Sequence, residues 1–106
     1  MLKAIIVDDE KHCQDALIQL LENYSSTIEL VKTVESVEAA QKAINDYEPD
    51  VVFLDVHLRN ETGFDLLRQL PFIDFYIVFT TAFEEYAVNA FKYSAFDYLL
   101  KPIDSI

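Results

Sequence analysis

Glycine is almost missing from these 106 residues: Gly63 is the only one. Neither a Walker-type phosphate loop nor a GxGxxG dinucleotide turn can be built from a single glycine, so conventional ATP and NAD sites are excluded. Cysteine is equally scarce. Cys13 stands alone, an intramolecular disulfide is impossible, and a reducing compartment, by default the cytoplasm, is the natural setting. Cations are few, eight Lys plus Arg against nineteen Asp plus Glu, a net charge of −11. That balance repels phosphate backbones and anionic membrane surfaces, so this stretch should not bind DNA itself. No apolar run approaches membrane-spanning length and the start lacks a leader pattern, so the chain is expected to be soluble and unprocessed.

What is present is a 52% hydrophobic composition in a length that suits one domain with one core. Five short apolar runs read as strands: Leu2–Val7, Ile28–Val34, Val51–Leu54, Phe75–Phe79 and Phe96–Leu100. Between the first two, Cys13, Ala16, Leu17, Leu20, Leu21 and Tyr24 recur at helical spacing and should share one buried face. Ser36 is placed to cap a second helix that carries Val37, Ala40, Ile44 and Tyr47 inward before Pro49 stops it. Gly63 precedes Phe64, Leu67 and Leu70 on a third helix ended by Pro71. A fourth opens at Glu84-Glu85, whose charges complement a helix N-terminus, with Ala87, Ala90 and Phe91 facing inward.

Strand and helix alternating in this way predict an α/β fold, a doubly wound parallel sheet of five strands with helices on both faces. Ligands of such sheets bind beyond the carboxyl ends of the strands. Those ends carry Asp8-Asp9-Glu10, Asp55, Thr80-Thr81 and Lys101-Pro102, whereas the second strand offers only Val34-Glu35. Converging carboxylates would repel by about 4 kcal/mol per pair at roughly 4 Å and an effective dielectric near 20, so a cation must compensate. Hard oxygen donors favour a Mg²⁺-like ion, and Lys101 adds a fixed positive charge. A metal, a lysine, a hydroxyl and a free carboxylate form a set for phosphoryl transfer, with Asp55 as nucleophile. Taken singly, Asp8 or Asp9 would be read as a helix cap; their coincidence with Asp55 and Lys101 shifts the reading toward a ligand site.

These residues, from Ile5-Ile6-Val7-Asp8-Asp9-Glu10 to Lys101-Pro102-Ile103, resemble the response-regulator receiver domains of two-component systems along nearly the whole chain. The resemblance implies a flavodoxin-like strand order 2-1-3-4-5. It implies that Asp55 accepts a phosphoryl group from a histidine kinase, with Mg²⁺ held by Asp8, Asp9, Asp55 and the backbone carbonyl of His57. Lys101 would contact the phosphoryl group, Thr81 would hydrogen-bond it, and Tyr98 would turn inward behind Thr81, the last two forming the switch. The Lys101-Pro102 bond is expected to be cis by similarity. Phe79–Ala87 and Ala95–Pro102 further resemble receivers attached to LytTR-type DNA-binding domains, so DNA would be reached only through an output domain not in this chain.

By the same resemblance the domain is no enzyme beyond its own phosphorylation and dephosphorylation, and it self-associates through the face of helix four and strand five to control transcription. Leu58-Arg59 departs from the Met-Pro pair common after the accepting aspartate, so the following loop should move differently; His57 and Phe83 flank the phosphoryl position and would set its lifetime. Receivers close with a fifth helix, which is absent before Ile106, so residues 1–106 read as a shortened receiver with apolar surface exposed around Phe96 and Leu99. His12 reads as solvated, Cys13 as a small core residue, and Tyr24, Tyr47 and Tyr93 as packing aromatics. Two other classes compete. A pseudo-receiver would bind its partner without phosphorylation, which the intact Asp8, Asp9, Asp55, Thr81 and Lys101 set disfavours. A Mg²⁺-dependent aspartyl-phosphate phosphatase would favour an acid where His57 stands.

Overall fold

The computed structural model describes residues 1–83, 85, 92–93 and 95–103. Its elements run β1 (Leu2–Val7), α1 (Lys11–Glu22), β2 (Ile28–Val34), α2 (Val37–Tyr47), β3 (Val51–Asp55), β4 (His57–Leu58), β5 (Glu61–Thr62), α3 (Gly63–Gln69), β6 (Tyr76–Thr81) and β7 (Asp97–Leu100). Five strands pair in parallel in the order β2-β1-β3-β6-β7, which is the expected 2-1-3-4-5 once the small β4–β5 hairpin is set aside. The fourth helix, with Glu84, Ala87, Ala90 and Phe91, lies outside the described residues, as does everything after Ile103.

The continuous apolar runs do what parallel strands between two helical layers require. Residues of alternate parity along them separate into two cores. Ile5, Val7, Val52, Leu54 and Phe79 face α2 and α3 on one side, and Ala4, Ile6, Phe53 and Val78 face α1 on the other. The whole of β3 is buried, so its terminal Asp55 emerges from the sheet with a side chain only 3% exposed.

Ser36 caps α2 as expected, its hydroxyl accepting the Ala39 N–H at 3.1 Å. The helix ends at Glu48, which takes a left-handed conformation (φ 47°) and donates its N–H to Ile44 O before Pro49. α3 is held by a reciprocal capping box: Thr62 Oγ1 accepts from Asp65 N, and Asp65 Oδ2 accepts from Thr62 N. The Lys101–Pro102 peptide is cis.

Several packing expectations need correction. Tyr24 and Tyr47 are exposed: α1 ends at Glu22 before Tyr24, and Tyr47 is the final residue of α2. Tyr93 does pack, its ring stacked 5.6 Å from Phe64. Cys13 is only partly buried and has Sγ 3.8 Å from Glu10 Oε1, so it borders the strand-end cluster and is no core residue. The polar Gln14 occupies the buried stripe of α1 with Leu17 and Leu21. Phe96, just before β7, is 71% exposed as expected, but in β7 Leu99 turns into the α1-side core and Leu100 is exposed. The segment after β3 forms an antiparallel ladder, His57 opposite Thr62 and Leu58 opposite Glu61, with Arg59-Asn60 at its tip.

Candidate functional site

Three parallel strands and the turn after a fourth deliver the site. Asp8 directly follows β1, β3 ends on Asp55, β6 on Thr81, and the turn after β7 brings Lys101, whose N–H donates to Thr81 O at 2.8 Å. Lys101 Nζ lies 3.0 Å from both Asp8 Oδ2 and Asp55 Oδ2 and 3.7 Å from Glu10 Oε1. Asp8 is wholly buried, and its other oxygen, Oδ1, accepts the Glu10 N–H at 2.9 Å. Asp55 Oδ1 accepts the N–H of His57 at 3.1 Å.

Neither Asp8 nor Asp9 caps α1; Glu10 holds the N-cap position and makes no side-chain cap bond. Their carboxylates instead join Glu10 and Asp55 in one group whose oxygens lie within 4.8 Å of one another. Three of the four, Asp8, Glu10 and Asp55, pair with one lysine, Lys101, and the donors are all hard oxygens, which is the chemistry of a site for a hard divalent cation. The electrostatics show the same excess of negative charge. Burial, then the charge of Asp8, push the Asp55 carboxyl up from 3.8 to about 6, against the opposing pull of Lys101 and the His57 N–H. Burial alone would lower the Lys101 pKa, but hydrogen bonding and charge from Asp8 and Asp55 outweigh it and hold it above the ordinary lysine value.

Thr81, also buried, uses its hydroxyl oxygen to accept the Phe83 N–H at 3.2 Å. Tyr98 is partly buried and donates its hydroxyl to the Phe83 carbonyl at 2.5 Å. A single residue, Phe83, thus joins Thr81 to Tyr98 through its two backbone polar groups. Its ring meets His57 edge-on with centroids 5.2 Å apart.

Two contributors were not singled out in the sequence. Glu10 completes the acidic group, and its place beside Asp8-Asp9 was the available signal. Gln14 donates Nε2 to Asp8 O at 2.6 Å and so ties α1 to the end of β1; a polar residue inside an apolar helical stripe was the clue. A smaller mixed group, Glu10, His12 and Cys13, sits at the start of α1 and shares Glu10 with the acidic cluster. Burial pushes the Cys13 thiol up despite the nearby Lys101.

Gly63 explains how α3 approaches so closely. A Cβ built there would lie 2.5 Å from Asp55 O and 2.8 Å from Leu54 Cγ, so only glycine lets the helix start against the end of β3. Its N–H donates to Val56 O at 2.9 Å and fixes the turn that follows Asp55. Among the described residues no helix is long and apolar enough to cross a membrane.

Comparison with known proteins agrees with this geometry. The family model for the response regulator receiver domain matches residues 4–106. An uncharacterized response regulatory protein of Vibrio parahaemolyticus is 43% identical over 105 residues, spanning 98% of this chain and 43% of the relative. The sensory transduction protein LytT of Bacillus subtilis is 42% identical over 106 residues, spanning 98% of this chain and 44% of the relative. The chain therefore covers less than half the length of these curated relatives. Among solved structures, the response regulatory domain of protein mrkE from Klebsiella pneumoniae superposes with a TM-score of 0.85 at 36% identity, covering 98% of this chain and 86% of that one. The receiver domain of AraT from Geobacillus stearothermophilus gives 0.84 at 27% identity, covering 98% and 84%. With the matching strand order and a family match that takes in all but the first three residues, the chain belongs to the receiver domains of two-component response regulators, with LytT among its relatives.

Proposed function

We propose that this domain is a phosphorylation switch in which Asp55 accepts a phosphoryl group from a histidine kinase. The observation that carries the reading is the placement of Asp55: nearly buried at the end of β3, paired with Lys101 at 3.0 Å, and beside three further carboxylates. A carboxylate oxygen of Asp55 attacks phosphorus, the P–N bond to the donor imidazole breaks, and an acyl phosphate forms. Asp8, Asp9, Asp55 and the His57 backbone carbonyl would hold Mg²⁺, which when bound supplies the positive charge that neutralises the equatorial phosphoryl oxygens. Lys101 draws one phosphoryl oxygen toward itself, and the His57 N–H keeps the Asp55 carboxylate oriented.

Thr81 now receives a bond from the Phe83 N–H, which leaves its own hydroxyl proton to donate to a phosphoryl oxygen. That new bond favours a different position for Thr81. The change reaches Tyr98 because Phe83 holds both side chains, and the surface beside β7 is remodelled as the population shifts. Moving such an equilibrium from 1:99 to 99:1 takes about 5.5 kcal/mol of differential interaction. The surface beside β7, where the sequence places a fourth helix, is then the face read by a second receiver or an output domain. The 106 residues act as one receiver unit of a longer cytoplasmic regulator, and DNA contact falls to a separate output portion, because a charge of −11 opposes it here.

Incubation with acetyl phosphate, with and without Mg²⁺, followed by intact mass measurement, tests the reading. A Mg²⁺-dependent phosphate adduct that Asp55→Asn abolishes is expected. An adduct that survives the substitution would place the acceptor elsewhere, and no adduct in either protein would favour a binding module that works without phosphorylation.

A further inference from the structure

The opposite edge of the sheet carries a feature that phosphoryl transfer does not use. An open cleft of about 900 Å³ lies where α2 and α3 both end, bordered by Asp50 before β3 and Asp74 before β6. That size lies in the range of built binding cavities and exceeds what one ion or a few waters need. Its charge is one-sided. Glu38, Asp46, Glu48, Asp50 and Asp74 line it against Lys42 alone, and Lys42 is already paired with Asp46 at 3.0 Å. The nearby Lys3 ammonium is bonded to Tyr47 O, and Asp50 accepts the Lys3 backbone N–H.

The backbone adds to this field. α2 ends its carbonyl row at the cleft and has no basic residue in its last turn, so the one cation on its C-terminus is Lys3, bonded to Tyr47 O, among the described residues. The cleft is not merely acidic, however. Ile44 and Leu70 supply apolar lining, and Phe72, 69% exposed, stands at its mouth. Apolar side chains and carboxylates lining one cleft fit a ligand whose own surface combines apolar and cationic groups.

We propose that this cleft is a docking site for a basic amphipathic segment of a partner protein, with Lys or Arg side chains reaching the carboxylates and an aliphatic or aromatic side chain packing on Phe72, Leu70 and Ile44. A second copy of this chain is a poor occupant, since its eight Lys and Arg are scattered along the sequence and form no basic segment. The site lies at the strand ends remote from Asp55, so the segment can be held in either state of the switch.

The experiment uses a synthetic twelve-residue helical peptide bearing four Arg and three Leu, with a Ser-for-Leu version of equal charge and spermine as comparisons. Binding to the intact chain is followed by amide chemical shifts at about 150 mM salt, where exposed charges further apart than the Debye length of roughly 8 Å are screened. Shifts confined to residues 44–50 and 70–74 are expected. Both Phe72→Ser and the double variant Glu48→Gln/Asp74→Asn should weaken binding by about tenfold, as loss of packing or of paired charge does at an interface. The equally charge-reducing Glu22→Gln/Glu29→Gln, on exposed residues away from the cleft, should leave it unchanged. Equal binding of the Ser peptide or of spermine would overturn the proposal in favour of a simple polycation site. So would shifts centred on Asp8 and Asp55, equal weakening by the control variant, or absence of binding at that salt concentration.

Discussion

Replacing Asp55 by Asn should make the protein more stable. In the folded state the Asp55 carboxyl is raised from 3.8 to about 6 by burial and by Asp8, in spite of Lys101. That rise corresponds to roughly 3 kcal/mol held against folding whenever the group is ionised. Asn keeps the shape and removes the charge, and its carbonyl can still accept from the His57 N–H and Lys101. Its amide hydrogens must face a crowded site, so a net gain of about 2 kcal/mol is the reasonable expectation, or roughly 10 °C in melting temperature for a domain of this size. The pH dependence is specific. A group whose pKa is higher folded than unfolded contributes stability that is complete below the unfolded value and lost as pH rises through the folded one. The wild type should therefore gain on the variant as pH falls from about 6 to about 4 and approach it there. Thermal melts of both proteins in a chelator at pH 8, 6.5 and 5 measure this. A gap independent of pH, or a variant less stable than wild type at pH 8, would refute the electrostatic account. Added Mg²⁺ should stabilise the wild type at pH 8 and narrow the gap, because it neutralises the same crowded oxygens.

Other substitutions separate scaffold from switch. Gly63→Ala should lower stability by about 2 kcal/mol or more and reduce acetyl phosphate labelling, since its methyl would press on Asp55 O and Leu54; melting and intact mass report the two effects. Thr62→Ala removes the capping box and should cost about 1 kcal/mol in denaturant unfolding, whereas Thr62→Ser should be nearly silent. Tyr98→Phe loses the bond to Phe83 O and about 1 kcal/mol, yet should accept phosphate at the wild-type rate, because that hydroxyl is engaged with a backbone carbonyl and takes no part in the transfer step; labelling kinetics beside chemical denaturation decide this.

Much of the fold was legible because its strands are buried on both faces. Val51–Leu54 and Ile77–Phe79 are uninterrupted apolar runs, and such runs between helical segments leave few arrangements other than a parallel, doubly wound sheet. The strand-end rule then gathered Asp8, Asp55, Thr81 and Lys101 with no distance in hand, and all four do meet at that edge. Periodicity misled at element ends. Tyr24 and Tyr47 continue the helical spacing to or past the ends of their helices, where both side chains are exposed and join neither core. The β4–β5 ladder was invisible for another reason: two residues per strand are too few for any alternation to register.

The residues the sequence concealed are those whose role is to hold others. Asp8 is recognisable as an acid at a strand end, but it stays wholly buried because Gln14 reaches back 2.6 Å to its carbonyl and Glu10 gives its N–H to the carboxylate. Asp55 is recognisable in the same way, yet its setting depends on Gly63 having no side chain and on the His57 N–H reaching its oxygen. A buried polar group is costly unless its bonds are supplied; Glu10 and His57 supply them from two residues on, but Gln14 and Gly63 act from six and eight residues away, where no short motif includes them. The crowded charge at Asp55 is therefore maintained by a rigid surround: Asp8 cannot move off without breaking the Gln14 and Glu10 bonds, and Lys101 is fixed by its own backbone bond to Thr81. A site built to relax its repulsion would already have done so in its free form, and little would be left for a cation or a phosphoryl group to change.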